Sequence, residues 1–310
     1  MRVVFFGTPE YAVPSLQAII DSKHEVVAVV SQPDKPKGRS NKLQPTPVKL
    51  KALEYGIKVF QFEKIRKNDI SELLSIPADI YVTCAYGQIL DEKILFATKH
   101  GVINLHGSLL PKYRGASPVQ CALIGLEKKT GVTILKSGIG LDDGDIVTSR
   151  AINIDKGENA ISLFDKLSIL SADMIVETLD NIENGKATFT PQDESIATKC
   201  SMLNPEMGVI DFTKSAEEIV GLIKGLAQWP NARITIDDVY FKLYNAEVSD
   251  VSADNFECGQ VVVANNKQGL HIKCGIGVIE ITEILPINSK KMSAKSYLNG
   301  KQINIGSYAK

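Results

Sequence analysis

Asn104 and His106 stand two apart at the end of the apolar run Val102-Ile103-Asn104-Leu105-His106. In an extended strand that spacing puts both side chains on one face. The turn Gly107-Ser108 and the rigid Leu109-Leu110-Pro111 follow, offering backbone donors and acceptors on a fixed path. Further on, Gly140-Leu141-Asp142-Asp143-Gly144-Asp145 places carboxylates on a glycine-flexed loop. An amide, an imidazole and a carboxylate, with no cysteine or lysine nucleophile among them, suit transfer of an acyl group to an amine. The amide N–H can stabilise a tetrahedral oxyanion. The imidazole can pass a proton toward the leaving nitrogen, and the carboxylate can take one from the attacking amine.

Two other chemistries are excluded by spacing. Ser108 lacks the Gly-x-Ser-x-Gly frame of a serine hydrolase, since positions 106 and 110 are His and Leu; Ser-x-x-Lys fails at Pro111. Asp142, Asp143 and Asp145 miss the calcium-loop pattern, whose twelfth position is filled here by Asn153. No metal is expected.

The surrounding elements read as α/β. Arg2–Phe6 and the β-branched Glu25–Ser31 are strands flanking a helix from about Glu10 to Asp21, with Pro14 tolerable only in its first turn. Only Gly7 follows the first strand where a dinucleotide fingerprint wants three glycines, so no NAD-type cofactor is expected. Thr46-Pro47 and Ser117-Pro118 are cap-then-proline helix starts. Helices are expected over 68–75, 91–98 and 158–183, and strands over 57–60, 79–85, 101–106, 131–137 and 146–152. Open parallel sheets bind ligands at the carboxyl ends of their strands, where Asn104 and His106 would lie. Residues 186–207 carry Pro191 and Pro205 with no sustained period and read as a linker. A capped helix from Ser215 and five short strands between Ala232 and Ile284 suggest a small, OB-like barrel. The expected division is a Rossmann-like, mostly parallel sheet domain over 1–189, a linker over 190–206, and a small β-barrel domain over 207–310.

The 310 residues are 44% apolar and 23% charged with a formal net charge of −1, ordinary globular composition. Five cysteines without Cys-x-x-Cys spacing read as reduced thiols, which favours the cytoplasm. No apolar run approaches the ~20 residues of a membrane span. Charge is uneven: between Ser31 and Lys51, six cations (Lys35, Lys37, Arg39, Lys42, Lys49, Lys51) face Asp34 alone. Such a loop is either a solvated charged surface or a contact for phosphates. Lys290, Lys291 and Lys295 pose the same choice on a smaller scale, and Arg114 and Lys112 could be surface charges or face a polyanion.

The strings HGSLLPKYRGASP and GLDDGDI, with FFGTPEYAVPSL, QPDKPKGR and MSAKSYLNG, resemble the folate-dependent formyltransferases over nearly the whole chain. The resemblance implies Asn104, His106 and Asp142 as the catalytic trio. Asp143 departs from the commoner threonine and should be exposed. It implies 10-formyltetrahydrofolate as co-substrate, lying against Ser108, Leu109, Leu110 and Pro111. Within the family, the opening and the basic loop point to members that formylate methionine on initiator tRNA. Arg39, with Lys35, Lys37 and Lys42, would then meet the acceptor end of the tRNA, and the C-terminal domain would help hold it. A cytoplasmic monomer is expected. The rival readings are formylation of a small amine, hydrolysis of the formyl-folate, and a non-catalytic RNA-binding protein on the same fold.

Overall fold

A computed structural model describes residues 1–36 and 42–310. Strand β1 (Arg2–Gly7) is buried from Val3 onward, as expected of a strand covered on both faces. A 3-10 turn leads into α1 (Val13–Ile20), with Pro14 in the first turn, where its missing N–H costs nothing. Strand β2 (Glu25–Ser31) pairs with β1 in parallel. The basic stretch, expected to lack secondary structure, has a short ladder at its root: β3 (Lys35–Pro36) pairs antiparallel with β4 (Leu43–Gln44). Two residues a side can exchange backbone hydrogen bonds without any apolar alternation, so the sequence carries no trace of them.

Helix α2 (Pro47–Glu54) starts at Thr46, whose hydroxyl accepts the Lys49 N–H at 3.2 Å. Strand β5 (Val59–Gln61) follows. Helix α3 (Ser71–Leu74) is shorter than the sequence suggests, because Asn68 accepts from the Lys64 N–H and closes the preceding turn instead of capping a helix. Next come β6 (Ile80–Cys84), α4 (Glu92–Leu95), β7 (Val102–His106), β8 (Arg114–Gly115), α5 (Pro118–Ile124), β9 (Lys129–Lys136), β10 (Ile146–Asn153) and α6 (Ala160–Glu183).

Two compact units emerge. The first comprises Met1–Gly115, Thr130–Ile152 and Phe164–Lys199. Its seven-stranded sheet runs β10-β9-β7-β6-β1-β2-β5. The pairs from β7 to β5 are parallel, and β9 is antiparallel to β7. Strand order reverses beside β1, and in open sheets of this kind ligands bind at the carboxyl ends of the strands near such a point. Strand β7, next to β6, delivers Asn104 and His106 to that edge. The expected linker is not a free connection: residues 190–199 fold back into this unit, and β11 (Lys199–Cys200) pairs with β8.

The second unit comprises Ala116–Lys129, Asn153–Leu163 and Cys200–Lys310. Helix α7 (Ala216–Gly225) opens on a capping box between Ser215 and Glu218. Strands β12 (Ala232–Ile236) and β13 (Val239–Ser249) meet at Asp237-Asp238, both left-handed, as a two-residue hairpin turn requires. Strands β14 (Val261–Asn265), β15 (Gly269–Lys273), β16 (Val278–Pro286) and β17 (Met292–Ser293) precede α8 (Ala294–Tyr297). This antiparallel sheet runs β12-β13-β16-β15-β14, and Phe241, Leu243, Ile272 and Ile281 pack with Ile219 and Ile223 of α7. Its edges among the described residues are β12 and β14. The last residues touch both: Lys310 exchanges two backbone hydrogen bonds with Thr235, and Gly306 and Ser307 bond to Val261.

Gly131 sits where β9 passes β10 and the turn after β7; a Cβ there would lie 2.1 Å from the Arg150 carbonyl and 2.6 Å from Leu109 Cδ2. Gly131→Ala should therefore cost about 1–3 kcal/mol. Gly157→Ala, which meets nothing within 4 Å, should leave stability unchanged. Thermal unfolding of the two variants checks this, and equal midpoints would refute the crowding.

Candidate active site

Strand β7 ends with Asn104 half-buried and His106 almost fully so, at 5% exposure. Each polar group is oriented by a neighbour. Thr83 on β6 donates its hydroxyl to Asn104 Oδ1 at 2.8 Å, which turns the Asn104 amide nitrogen outward. That nitrogen donates to Asp142 Oδ1 at 3.3 Å, using one of its two hydrogens. His106 Nε2 lies 2.9 Å from the Tyr113 carbonyl, which can only accept, so Nε2 carries hydrogen. The nitrogen left to gain or lose a proton is Nδ1, 3.6 Å from Asp142 Oδ2. The backbone N–H of Gly115 donates to the same Asp142 oxygen at 2.9 Å. An amide, an imidazole and a carboxylate thus converge within one unit.

Asp142 has a left-handed backbone, φ +51°. Its neighbour Asp143 is exposed, with its carboxylate folded over Gly140, where a Cβ would be only 1.8 Å from Asp143 Oδ2. Leu141 and Ile139 of the same loop are exposed at 55% and 70%, an apolar surface beside the trio. The acidic loop does not gather as a metal-ligand set. Among the described residues such a set occurs only at His24, Asp180 and Glu183, where Lys23 Nζ already stands 2.8 Å from Asp180.

Ser108 is fully buried and donates to the Lys112 carbonyl at 2.7 Å. Thr133 donates to the Ser108 carbonyl and receives the Leu110 N–H. Lys112 N–H goes to the Leu109 carbonyl, and Thr198 N–H to the Pro111 carbonyl. The turn from Ser108 to Pro111 is therefore built largely from its own hydrogen bonds, and its side-chain hydroxyl is a structural one.

Arg114 is neither a surface charge nor a polyanion contact. It is 4% exposed, donating to Gln192 Oε1 through Nε and Nη2 and to both Glu194 oxygens. The Glu194 hydrogen bonds hold the guanidinium charged, and Arg114 in turn depresses the Glu194 carboxyl. Gln192 passes its amide hydrogens to the carbonyls of Asp142 (2.8 Å) and Gly144 (2.7 Å). None of Thr83, Tyr113, Gln192 and Glu194 was marked by type or spacing. Thr83, Gln192 and Glu194 meet partners 21 or more residues away, for which no periodic pattern exists, and Tyr113 acts through its backbone carbonyl, which side-chain type does not mark.

At the root of the basic hairpin, Lys35 and Lys42 are exposed; Lys37 and Arg39 lie outside the described residues. Lys49 is not available to a ligand in the same way: its Nζ donates to Asp34 at 2.7 Å and to Gln61 at 2.7 Å, and the Lys49 bond to Asp34, with another from Gln61 Nε2, pulls the Asp34 carboxyl below the usual carboxylate range. Gln61 also binds the Gln32 carbonyl, and Gln32 reaches the Tyr86 carbonyl after β6. In the second unit, Lys291 and Lys295 pair with Glu283 and Glu280.

Comparison with known proteins places this geometry. Residues 1–179 match the Formyl transferase family, and residues 202–302 match the Formyl transferase C-terminal domain. The methionyl-tRNA formyltransferase of Agathobacter rectalis is 44% identical, with 99% of each chain covered; that of Lachnospira eligens is 43% identical over 99% and 98%. Among solved structures, the sugar 3N-formyl transferase WlaRD, crystallised with dTDP and 5-N-formyl-THF, superposes with a TM-score of 0.70 at 21% identity, covering 94% of this chain and 99% of that one. An N-formyltransferase of Helicobacter canadensis, in complex with folinic acid and dTDP-3-aminofucose, gives 0.70 at 19%, with the same coverage. Two matched domains and full-length relatives above 40% identity establish that the chain belongs to the formyl transferase family.

Proposed function

We propose that this chain transfers the formyl group of 10-formyltetrahydrofolate to the α-amino group of methionine on initiator tRNA. The observation that carries the reading is the convergence of Asn104, His106 and Asp142 in a chain whose full-length relatives are methionyl-tRNA formyltransferases. The folate supplies a formyl carbon on a nitrogen leaving group. The site suits such a molecule: the carbonyls of the half-buried Leu109 and Pro111 each spend one lone pair within the protein and have another for a ring N–H, and Ile139 and Leu141 offer apolar cover.

In the reaction a C–N bond forms between the amine and the formyl carbon, and the bond to the folate nitrogen breaks. The second amide hydrogen of Asn104 meets the developing oxyanion. Asp142 takes the amine's excess proton, directly or through water, protonated His106 gives the proton on Nδ1 to the leaving nitrogen, and passage of the proton from Asp142 back to Nδ1, 3.6 Å away, restores both groups. The Tyr113 carbonyl matters here because it engages Nε2 and leaves Nδ1 to do this work.

The tRNA reading adds the basic hairpin and the second unit. Lys35, Lys37, Arg39 and Lys42 contact phosphates of the acceptor end, while Lys49 holds the root. The C-terminal residues 207–310 form a tRNA-holding domain of small, OB-like barrel type. Support comes from the hydrogen bonds of residues 306–310 to both sheet edges, which draw β12 and β14 toward closure. We read residues 1–189 as the catalytic domain and the protein as a cytoplasmic monomer, since its acceptor belongs to translation.

Formyl transfer to methionine on initiator tRNA, beside an elongator tRNA charged with the same amino acid, tests the reading. Product on the initiator alone is expected; none on either, with folate bound, favours a small amine as acceptor. Formate release without acceptor would mark a hydrolase.

Asn104→Ala should lower the single-turnover rate roughly 10²–10³-fold, and a loss of only a few-fold would remove Asn104 from the oxyanion site. Lys42→Ala should flatten the dependence of log K for tRNA on log salt by a slope of roughly 0.7–0.9, one phosphate contact, without changing the rate at saturating tRNA. An unchanged slope would exclude that contact.

A further inference from the structure

Residues 190–198, which read in the sequence as part of a linker, hydrogen-bond to the turn after β7 and to the Asp142 loop. Thr190 exchanges two backbone hydrogen bonds with Ile146, at 2.8 and 2.9 Å, fixing the segment to the start of β10. The Thr198 hydroxyl accepts the Tyr113 N–H at 2.8 Å, and the Thr198 carbonyl accepts the Arg114 N–H at 2.9 Å. These bonds seat the turn whose Tyr113 carbonyl holds His106 and whose Gly115 N–H meets Asp142. Between the two anchors, Gln192 binds the loop of Asp142.

We propose that Gln192, held in place by Arg114, is a positioning residue for formyl transfer: it keeps Asp142 in the backbone conformation from which its carboxylate reaches Asn104 and Gly115. The inference rests on the proposed function in taking Asp142 as a member of the reacting trio.

The physical argument starts from φ +51° at Asp142. A left-handed backbone is disfavoured for a residue other than glycine and persists where its surroundings over-determine it. Gln192 supplies that constraint. Its two amide hydrogens straddle the left-handed residue, one on the carbonyl of Asp142 and one on that of Gly144. Rotation of Asp142 to the right-handed region would swing these carbonyls away and break the bonds. It would also withdraw the carboxylate from the Asn104 amide and the Gly115 N–H.

Glutamine fits this task because one planar head group both donates twice and accepts twice. Its oxygen meets two nitrogens of the Arg114 fork, so the head group cannot turn over without facing N–H against N–H. Glu194 completes the arrangement by accepting from Arg114 Nη1 and Nη2, at 3.0 and 2.7 Å. The Glu194 side chain is 69% exposed, so its pairing is screened and adds little stability; its use is in aiming the fork.

The test compares wild type, Gln192→Ala and Gln192→Glu in single-turnover formylation of methionyl-tRNA, with KM for both substrates and the thermal midpoint. Gln192→Glu is isosteric and keeps the acceptor for Arg114, but sets a carboxylate against two carbonyls. Both variants should lose rate on the order of 10²-fold, as misplacement of a reacting group does, with both KM values and the midpoint little changed. Wild-type rates in both variants would overturn the proposal. So would a loss explained by raised KM or by unfolding, which would make the role merely structural. Hydrogen exchange of residues 138–145 in free Gln192→Ala is the readout independent of activity: faster exchange is expected, and unchanged protection overturns the proposal even if wild type formylates no tRNA. A silent wild type with faster exchange in the variant counts against the proposed function alone.

Discussion

The site depends on one shared carboxylate. Asp142 receives the amide nitrogen of Asn104 on one oxygen and the backbone N–H of Gly115 on the other, with His106 Nδ1 beside the second. These partners come from the end of β7 and from β8, while Asp142 stands on a loop. Only the carboxylate, with acceptor capacity in several directions, can hold all three. The acceptance is costly to arrange: the loop adopts a left-handed residue and the glycine at 140 makes room for Asp143.

From this follows the division of labour within the first unit. The parallel sheet brings β6 and β7 into register, so Thr83 can set the Asn104 amide and leave its nitrogen outward. The antiparallel β9 then returns along β7 and places Thr133 where it fixes both Ser108 and Leu110. Rigidity comes from strands and reach from loops, and side chain to backbone hydrogen bonds join the two. The second unit is built on other principles, an antiparallel sheet closed over the apolar face of α7, with tight Asp-Asp and tail contacts at its margin.

Much of this was legible residue by residue. Period-two spacing put Asn104 and His106 on one face of β7. Cap-then-proline pairs located the starts of α2 and α5, although Ser117 makes no side-chain cap bond where Thr46 does. Strand β12 begins at Ala232, where the first of the five short strands is expected. Local signals also misled. Asn68 looked like a helix cap and closes a turn; Arg114 looked like a surface or polyanion-facing charge and is buried; Lys49 counted toward the basic loop and is paired with Asp34. For Arg114 and Lys49 the partner lies outside the window that type and neighbours describe; for Asn68 it lies four residues back, on the side away from the expected helix.

The sequence by itself determined the α/β character of the first part, the antiparallel strands of the second, the amide–imidazole–carboxylate set and the family resemblance. These rest on interactions between near neighbours, or on residue types that only certain chemistry requires. Tertiary structure decided that residues 190–198 belong to the site, that Gln192 binds the loop of Asp142 from fifty residues away, and that Arg114 faces inward. The reason is physical: a hydrogen bond from a side chain to a distant carbonyl obeys no period along the chain, and exists only once folding has brought the two together.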